Sequence, residues 1–205
     1  MRTQAAEAGI NPVVAPVTAR LAFHVREHGW DIIGFQFLAG YRHASLRPGS
    51  PDLPAITRVL ARLAAIPGPP GGGGLRTIED RWHEYIGGRA ALLAGPVVAH
   101  TDLHRHNIMV GGGQARLIDW AWPTLAAPWV DTACAGLQLI VAGHDPARAE
   151  AWCEQSPAYR VASPAAVTAF TDAARAMWQE IANQGRHPWT LDVAAAARWA
   201  DHRPR

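Results

Sequence analysis

His100-Thr101-Asp102-Leu103-His104-Arg105-His106-Asn107, followed twelve residues after Asn107 by Asp119 in Arg116-Leu117-Ile118-Asp119-Trp120, decides how this chain is read. The apolar run Pro96-Val97-Val98-Ala99 reads as a short strand delivering His100. Residues 107–110, the glycines Gly111, Gly112 and Gly113, and residues 115–118 read as a tight hairpin with Asp119 at its exit. The loop before this hairpin presents Asp102 and Asn107, and the second strand carries Asp119 back. Residues seventeen apart in sequence can therefore meet around one metal ion.

The chemistry of these side chains is ordered. Asp102 is a carboxylate that can orient or deprotonate a hydroxyl, and Asn107 and Asp119 are hard oxygen donors suited to magnesium. Phosphoryl transfer to an alcohol requires that order. An absence bears on the same chemistry: all 19 basic residues of the Lys+Arg count are arginine, so no lysine grips a phosphate.

Working outward, residues 20–37 hold two apolar runs around a glycine-containing turn and predict a β-hairpin. Residues 40–54 are rich in glycine, proline and serine and read as a connection, with Ser50-Pro51-Asp52 as a helix start. A helix is expected over 52–65, its apolar face made by Ile56, Val59, Leu60 and Leu63. The glycine run over 67–74 invites a phosphate-loop reading, but no lysine follows it and no strand leads in, so a flexible linker is expected. A helix over 75–93 would bury Ile78, Trp82, Tyr85 and Ile86 as packing residues. Beyond Pro128 the pattern is helical over 130–143, 146–154, 164–183 and 191–201.

With 205 residues, 49% of them hydrophobic, the chain can bury a substantial core. The net charge of +2 arises from scattered arginines and acids without a basic block, which argues against nucleic acid as partner. Cys134 and Cys153 are too isolated for a disulfide framework and are expected reduced. The N-terminus lacks the apolar run of a signal peptide, and no stretch reaches the roughly 18 apolar residues of a membrane span. A cytoplasmic location without membrane contact is expected.

The motif His100-x-Asp102-Leu103-His104-x-x-Asn107, with Ile118-Asp119-Trp120 and Asp131 at the start of the next helix, resembles the aminoglycoside phosphotransferase family, with its choline and homoserine kinase relatives. Upstream, Glu7-Ala8-Gly9-Ile10-Asn11-Pro12 resembles the end of that family's N-lobe helix. The hairpin is similar to its last N-lobe strands, and Gly34-Phe35-Gln36-Phe37-Leu38-Ala39-Gly40 to its hinge. The resemblance implies an α+β, protein-kinase-like fold: a partial N-lobe over 1–39, and a mostly helical C-lobe with the catalytic-loop hairpin over 40–205. It also implies ATP and Mg²⁺. Asp102 would be the catalytic carboxylate, Asn107 and Asp119 the metal ligands, and Phe35, Gln36, Phe37 and Leu38 the adenine-side segment. His100 and Asp131 would support the loop. His104 would either approach the transferred phosphate or face solvent. Gln36 stands where many relatives have glutamate, and Thr101 replaces the glycine usual between the histidine and the aspartate.

The family's glycine-rich hairpin and strand lysine have no counterpart here. If Glu7 is the helix glutamate that pairs with that lysine, either the native protein is longer or this is a truncated form, and transfer by the short chain is expected to be weak. Three functions follow. The first is a small-molecule kinase acting on a hydroxyl of an aminoglycoside-like or amino-alcohol acceptor. The second is a noncatalytic degenerate kinase or binding module. The third is a metal-dependent hydrolase using His100, Asp102, His104 and His106 as alternating ligands. The acceptor pocket would draw on segments after Asp131, including Asp145, Glu150, Glu154, Tyr159 and Trp178.

Overall fold

β1 (Leu21–Glu27) and β2 (Trp30–Phe35) pair antiparallel around His28-Gly29. Both turn residues have positive φ, 51° and 82°, as a two-residue hairpin turn of the primed type demands. The computed structural model that contains this hairpin describes residues 3–185 and 190–203. The register sets Val25 opposite Ile32 and Phe23 opposite Gly34, so the apolar side chains fall on one face, which is open to solvent. The other face meets α1 (Thr3–Val14), where His24 and Arg26 line a groove with Ala5, Ala8 and Gly9. Buried Asn11 ties the helix to the hairpin: its Nδ2 donates to the Ala19 carbonyl and its Oδ1 accepts the Leu21 N–H, both at 2.8 Å.

A three-stranded antiparallel sheet follows, in the order β3 (Arg42–His43), β6 (Ile108–Gly111), β7 (Gln114–Leu117). α2 (Leu53–Leu63) packs on β7 through the stripe Ala55, Ile56, Val59, Leu60 and Leu63. Fully burying a side chain of this size contributes roughly 1.5–3 kcal/mol. In the third sheet β8 (Thr124–Ala126) is central, parallel to β4 (Arg76–Thr77) and antiparallel to β5 (Val97–Ala99).

Two expectations are corrected here. The glycine run is not a free linker. Gly68 N–H bonds the Pro96 carbonyl at 2.7 Å, and residues 70–74 form 3-10 turns with positive φ from Gly71 to Gly74. The helix expected over 75–93 is also divided. β4 precedes α3 (Ile78–Ile86), which starts with a capping box between Thr77 and Asp80. It stops at Gly87, and residues 87–93 continue as 3-10 turns.

The remaining chain is helical: α4 (Val130–Val141), α5 (Pro146–Cys153), α6 (Pro157–Arg160), α7 (Pro164–Asn183) and α8 (Thr190–His202). Trp82, Phe170 and Trp199 form a run of ring contacts through this body, with centroids 5.3 and 5.8 Å apart. Gly136 allows α4 to approach α5 and α8, since a Cβ there would lie 2.5 Å from Cys153 Sγ and 3.0 Å from the Trp199 ring. The architecture is α+β and helix-rich, and among the described residues no helix is long and apolar enough to cross a membrane.

Candidate functional site

β5 ends at Ala99, and the next residue, His100, is completely buried. Its backbone N–H and that of Thr101 donate to the two oxygens of Asp131, at 2.8 and 2.9 Å. Asp131 sits in the first turn of α4, where a negative charge meets the positive end of the helix. Burial pushes its pKa up, while the two N–H bonds pull the other way. His100 Nδ1 accepts the Asp102 N–H at 3.3 Å, so Nε2 carries the ring proton and donates to the Ile118 carbonyl at 2.9 Å. The ring packs on Trp120 with centroids 4.6 Å apart. One buried imidazole thus joins the loop before the hairpin to the strand that leaves it.

Asp102 has its side chain 42% exposed, whereas Asn107 is buried. Asn107 Nδ2 donates to the Asp102 carbonyl at 2.9 Å and to Asp102 Oδ2 at 3.4 Å. That orientation spends the amide nitrogen on the protein and leaves Oδ1 as the atom with which Asn107 can meet a cation. The Asn107 carbonyl accepts the Ile118 N–H at 2.9 Å, and Asp119 follows in the left-handed region at φ 64°. Aspartate tolerates that region better than most residues. An amide oxygen and a carboxylate fit Mg²⁺, which takes few protein ligands and completes its shell with water and phosphate.

His104 Nε2 lies 3.9 Å from Asp102 Oδ1, and its Nδ1 accepts the His106 N–H at 3.2 Å. His106 also stacks edge-on against His43, and burial with the charges of Arg105, His104 and His43 lowers its pKa. The four alternating residues of the hydrolase reading do not converge. Both His100 ring nitrogens are bonded inside the protein, and among the described residues no group of three or more His, Cys, Asp or Glu can hold a metal.

Phe35, Gln36, Phe37 and Leu38 continue from β2. The Gln36 N–H is already bonded to the Arg20 carbonyl at 2.8 Å, so this residue cannot offer its backbone donor to a base. Phe37 is 87% exposed. Of the expected acceptor-pocket residues, Asp145 caps α5, and Glu150 accepts from Trp199 Nε1 and from Arg203 at 2.7 Å. Tyr159 is buried, and Trp178 packs against the core. Glu150 and Tyr159 are thus occupied in holding helices together.

Besides Glu7, expected as the helix glutamate, two residues near the site were not anticipated. Glu7 Oε1 accepts the Trp120 N–H at 3.1 Å. Burial raises its pKa, this bond lowers it, and the neighbouring Asp119 charge raises it. Asp192, in the first turn of α8, accepts from Gln138 Nε2 at 3.2 Å, and burial raises its pKa while that bond lowers it. Arg81 of α3 donates from one Nη1 to Thr101 Oγ1 at 2.6 Å, to the Trp122 carbonyl at 3.2 Å and to Thr124 Oγ1 at 2.5 Å. Thr101 itself has φ 62°. Such a conformation costs on the order of 1–3 kcal/mol in a residue other than glycine. The signal for it was present in the sequence, because a glycine usual at this position marks a backbone that needs positive φ.

In sequence, the model of the phosphotransferase enzyme family (APH) matches residues 45–165, more than half of the chain and inclusive of His100 to Asp131. No curated protein matches. Among solved structures, a choline/ethanolamine kinase family protein from Mesorhizobium loti is similar over 98% of this chain and 77% of its own, at 17% identity and a TM-score of 0.64. Choline kinase LicA from Streptococcus pneumoniae is similar over 98% and 80%, at 12% identity and 0.61. A thermostable mutant of aminoglycoside phosphotransferase APH(4)-Ia is similar over 98% and 82%, at 15% identity and 0.54. At these identities the likeness is one of fold, and the fold is protein-kinase-like.

Proposed function

This chain belongs to the phosphotransferase enzyme family, and on that premise we propose that it transfers the γ-phosphate of ATP to a hydroxyl of a small-molecule acceptor. The observation that carries the reading is the Asp102–Asn107 clamp. One carboxylate is half exposed to an incoming hydroxyl and held from behind by an amide whose oxygen remains available. Asp102 orients the hydroxyl and takes its proton as the oxygen–phosphorus bond forms and the bond to the departing ADP breaks. Asn107 Oδ1 and Asp119 would hold Mg²⁺, which when bound neutralises charge on the phosphates. His100 and Asp131 fix the backbone from which Asp102 projects. His104 is near enough to Asp102 to share in holding the transferred group. Residues 35–38 would lie along the adenine, with residues 1–39 as the partial N-lobe and 40–205 as the C-lobe. The proposed acceptor is of the aminoglycoside-like or amino-alcohol class, the classes named for the structurally similar choline kinases and aminoglycoside phosphotransferase.

One observation favours a second reading, a noncatalytic nucleotide- or partner-binding module. The chain contains no lysine, and Glu7 bonds the Trp120 N–H instead. Calorimetric titration with ATP and Mg²⁺ together with ATP turnover separates the two. For the enzyme, Asp102→Ala should keep Mg²⁺-dependent binding and lose turnover by about 10² to 10⁴-fold. Asp119→Ala should lose the Mg²⁺ dependence. Equal turnover in Asp102→Ala and the unaltered protein would sink the catalytic reading, and binding without turnover in the unaltered chain would favour the module.

A further inference from the structure

Between His100, whose ring is buried, and Asp102, whose carboxylate is half exposed, the chain must turn from core to surface within a single residue. Thr101 makes that turn at φ 62°, a conformation that a β-branched side chain resists. Three bonds hold it there. Its N–H goes to Asp131, its Oγ1 accepts from Arg81 Nη1, and the same hydroxyl donates to the Trp122 carbonyl at 3.2 Å. Arg81 comes from α3, twenty residues earlier, and its guanidinium lies 5.8 Å from the centroid of the Trp122 ring. Thr124 Oγ1 accepts from the same nitrogen and donates to the Trp122 carbonyl at 2.8 Å. The guanidinium therefore bridges the residue before Asp102 and the segment after Asp119.

We propose that Arg81 is a positioning residue, which holds Thr101 in the left-handed conformation and so sets the direction in which Asp102 leaves the strand. The proposal rests on the phosphotransferase reading in that Asp102 is the group positioned. Lysine would be a poor replacement, because a single ammonium on a flexible stem does not reproduce a planar group held over the Trp122 ring and shared among three acceptors. Glycine at 101 removes the need for the restraint, because it enters positive φ without a steric penalty.

The test is a double-mutant cycle on the full chain with Arg81→Ala, Thr101→Gly and the pair, plus Arg81→Lys. Its readouts are kcat and KM for Mg·ATP turnover and hydrogen exchange of the 100–107 segment. Arg81→Ala should lower kcat by about 10- to 100-fold, the scale of a small misplacement of the reacting group, and speed exchange in 100–107. KM for ATP should move by less than about twofold, and lysine should recover little. In the Thr101→Gly background the Arg81→Ala loss should become small, because glycine enters positive φ without the restraint. Contacting residues couple in any case, so the kcat-against-KM split and the exchange of 100–107 separate positioning from packing. An equal loss in both backgrounds, or unchanged exchange on Arg81→Ala, overturns the proposal. If the unaltered protein and Asp102→Ala turn over ATP equally, the phosphotransferase reading has failed on its own. The exchange cycle then still decides whether Arg81 acts through Thr101.

Discussion

The two hairpins of this molecule share a turn design and differ in what covers them. β1–β2 turns at His28-Gly29 and β6–β7 at Gly112-Gly113, each pair with positive φ. β6–β7 buries Ile108, Val110, Ala115 and Leu117, gains β3 as a third strand and carries α2 on β7. β1–β2 is two-stranded and leaves Phe23, Val25, Trp30 and Ile32 in solvent. Turn chemistry alone therefore forms a hairpin, but only burial makes one rigid enough to aim a side chain, since a two-stranded hairpin is marginal by itself. The candidate site hangs on the covered hairpin.

The sharpest way to break the contrast is to truncate one apolar residue in each. Leu117 is fully buried on β7, and Leu117→Ala should cost about 2–5 kcal/mol in urea unfolding. Ile32→Ala, at an exposed position on β2, should stay within about 0.5 kcal/mol. Comparable losses would mean that the outer face of β1–β2 is covered in solution. Next in size is Asp131→Ala. It strands the His100 and Thr101 N–H groups in a buried site and should cost about 1–3 kcal/mol, with hydrogen exchange rising first in 100–107.

Acid sharpens the comparison through opposite signs. The His24 hydrogen bond holds the Asp31 pKa below the ordinary carboxylate range. Its contribution to β1–β2 is present above about pH 4 and is lost as pH falls through the folded value. Burial holds Asp131 above that range, so its folded form keeps the proton to higher pH. Stability at this residue falls as pH rises through its folded value and does not fall on acidification. Amide protection factors measured down from pH 5 should therefore drop in β1–β2 before they drop at His100 and Thr101. Simultaneous loss would show that the two regions open as one unit.

The covered hairpin and its loop were legible because they combine a period-two apolar pattern, a glycine turn and polar residues at fixed spacing. α2, α4, α5, α7 and α8 were legible from their sequence patterns, whereas the one-turn α6 was not and α1 was expected only through the family resemblance. β3, β4 and β8 were not legible, because strands of two or three residues carry no period and these lack the apolar run that marked the equally short β5, and Gly87-Gly88 divides an apolar pattern that reads as continuous. In the site, Asp102 and Asn107 are five residues apart and were read together. Arg81 lies 20 residues from Thr101 and 43 from Thr124, and no local pattern announces contacts at those separations. Thr101 did carry a signal, since replacing an expected glycine at a positive-φ position requires a compensating restraint. That restraint was findable only in three dimensions.

The smallest expected effect bears on the uncovered face. Trp30 is 71% exposed beside the turn of β1–β2, across from Glu27. Trp30→Ser removes a large apolar surface that little in the fold covers, so stability should change by no more than about 0.5 kcal/mol. Exposed aromatic clusters drive association, so sedimentation at rising concentration should show less self-association in the serine variant than in the unaltered chain. A melting temperature lowered as far as by Leu117→Ala would reverse the inference drawn from the two hairpins, because Trp30 would then be packed in solution and the N-terminal ribbon would be as firmly held as the strand pair that carries Asn107 and Asp119.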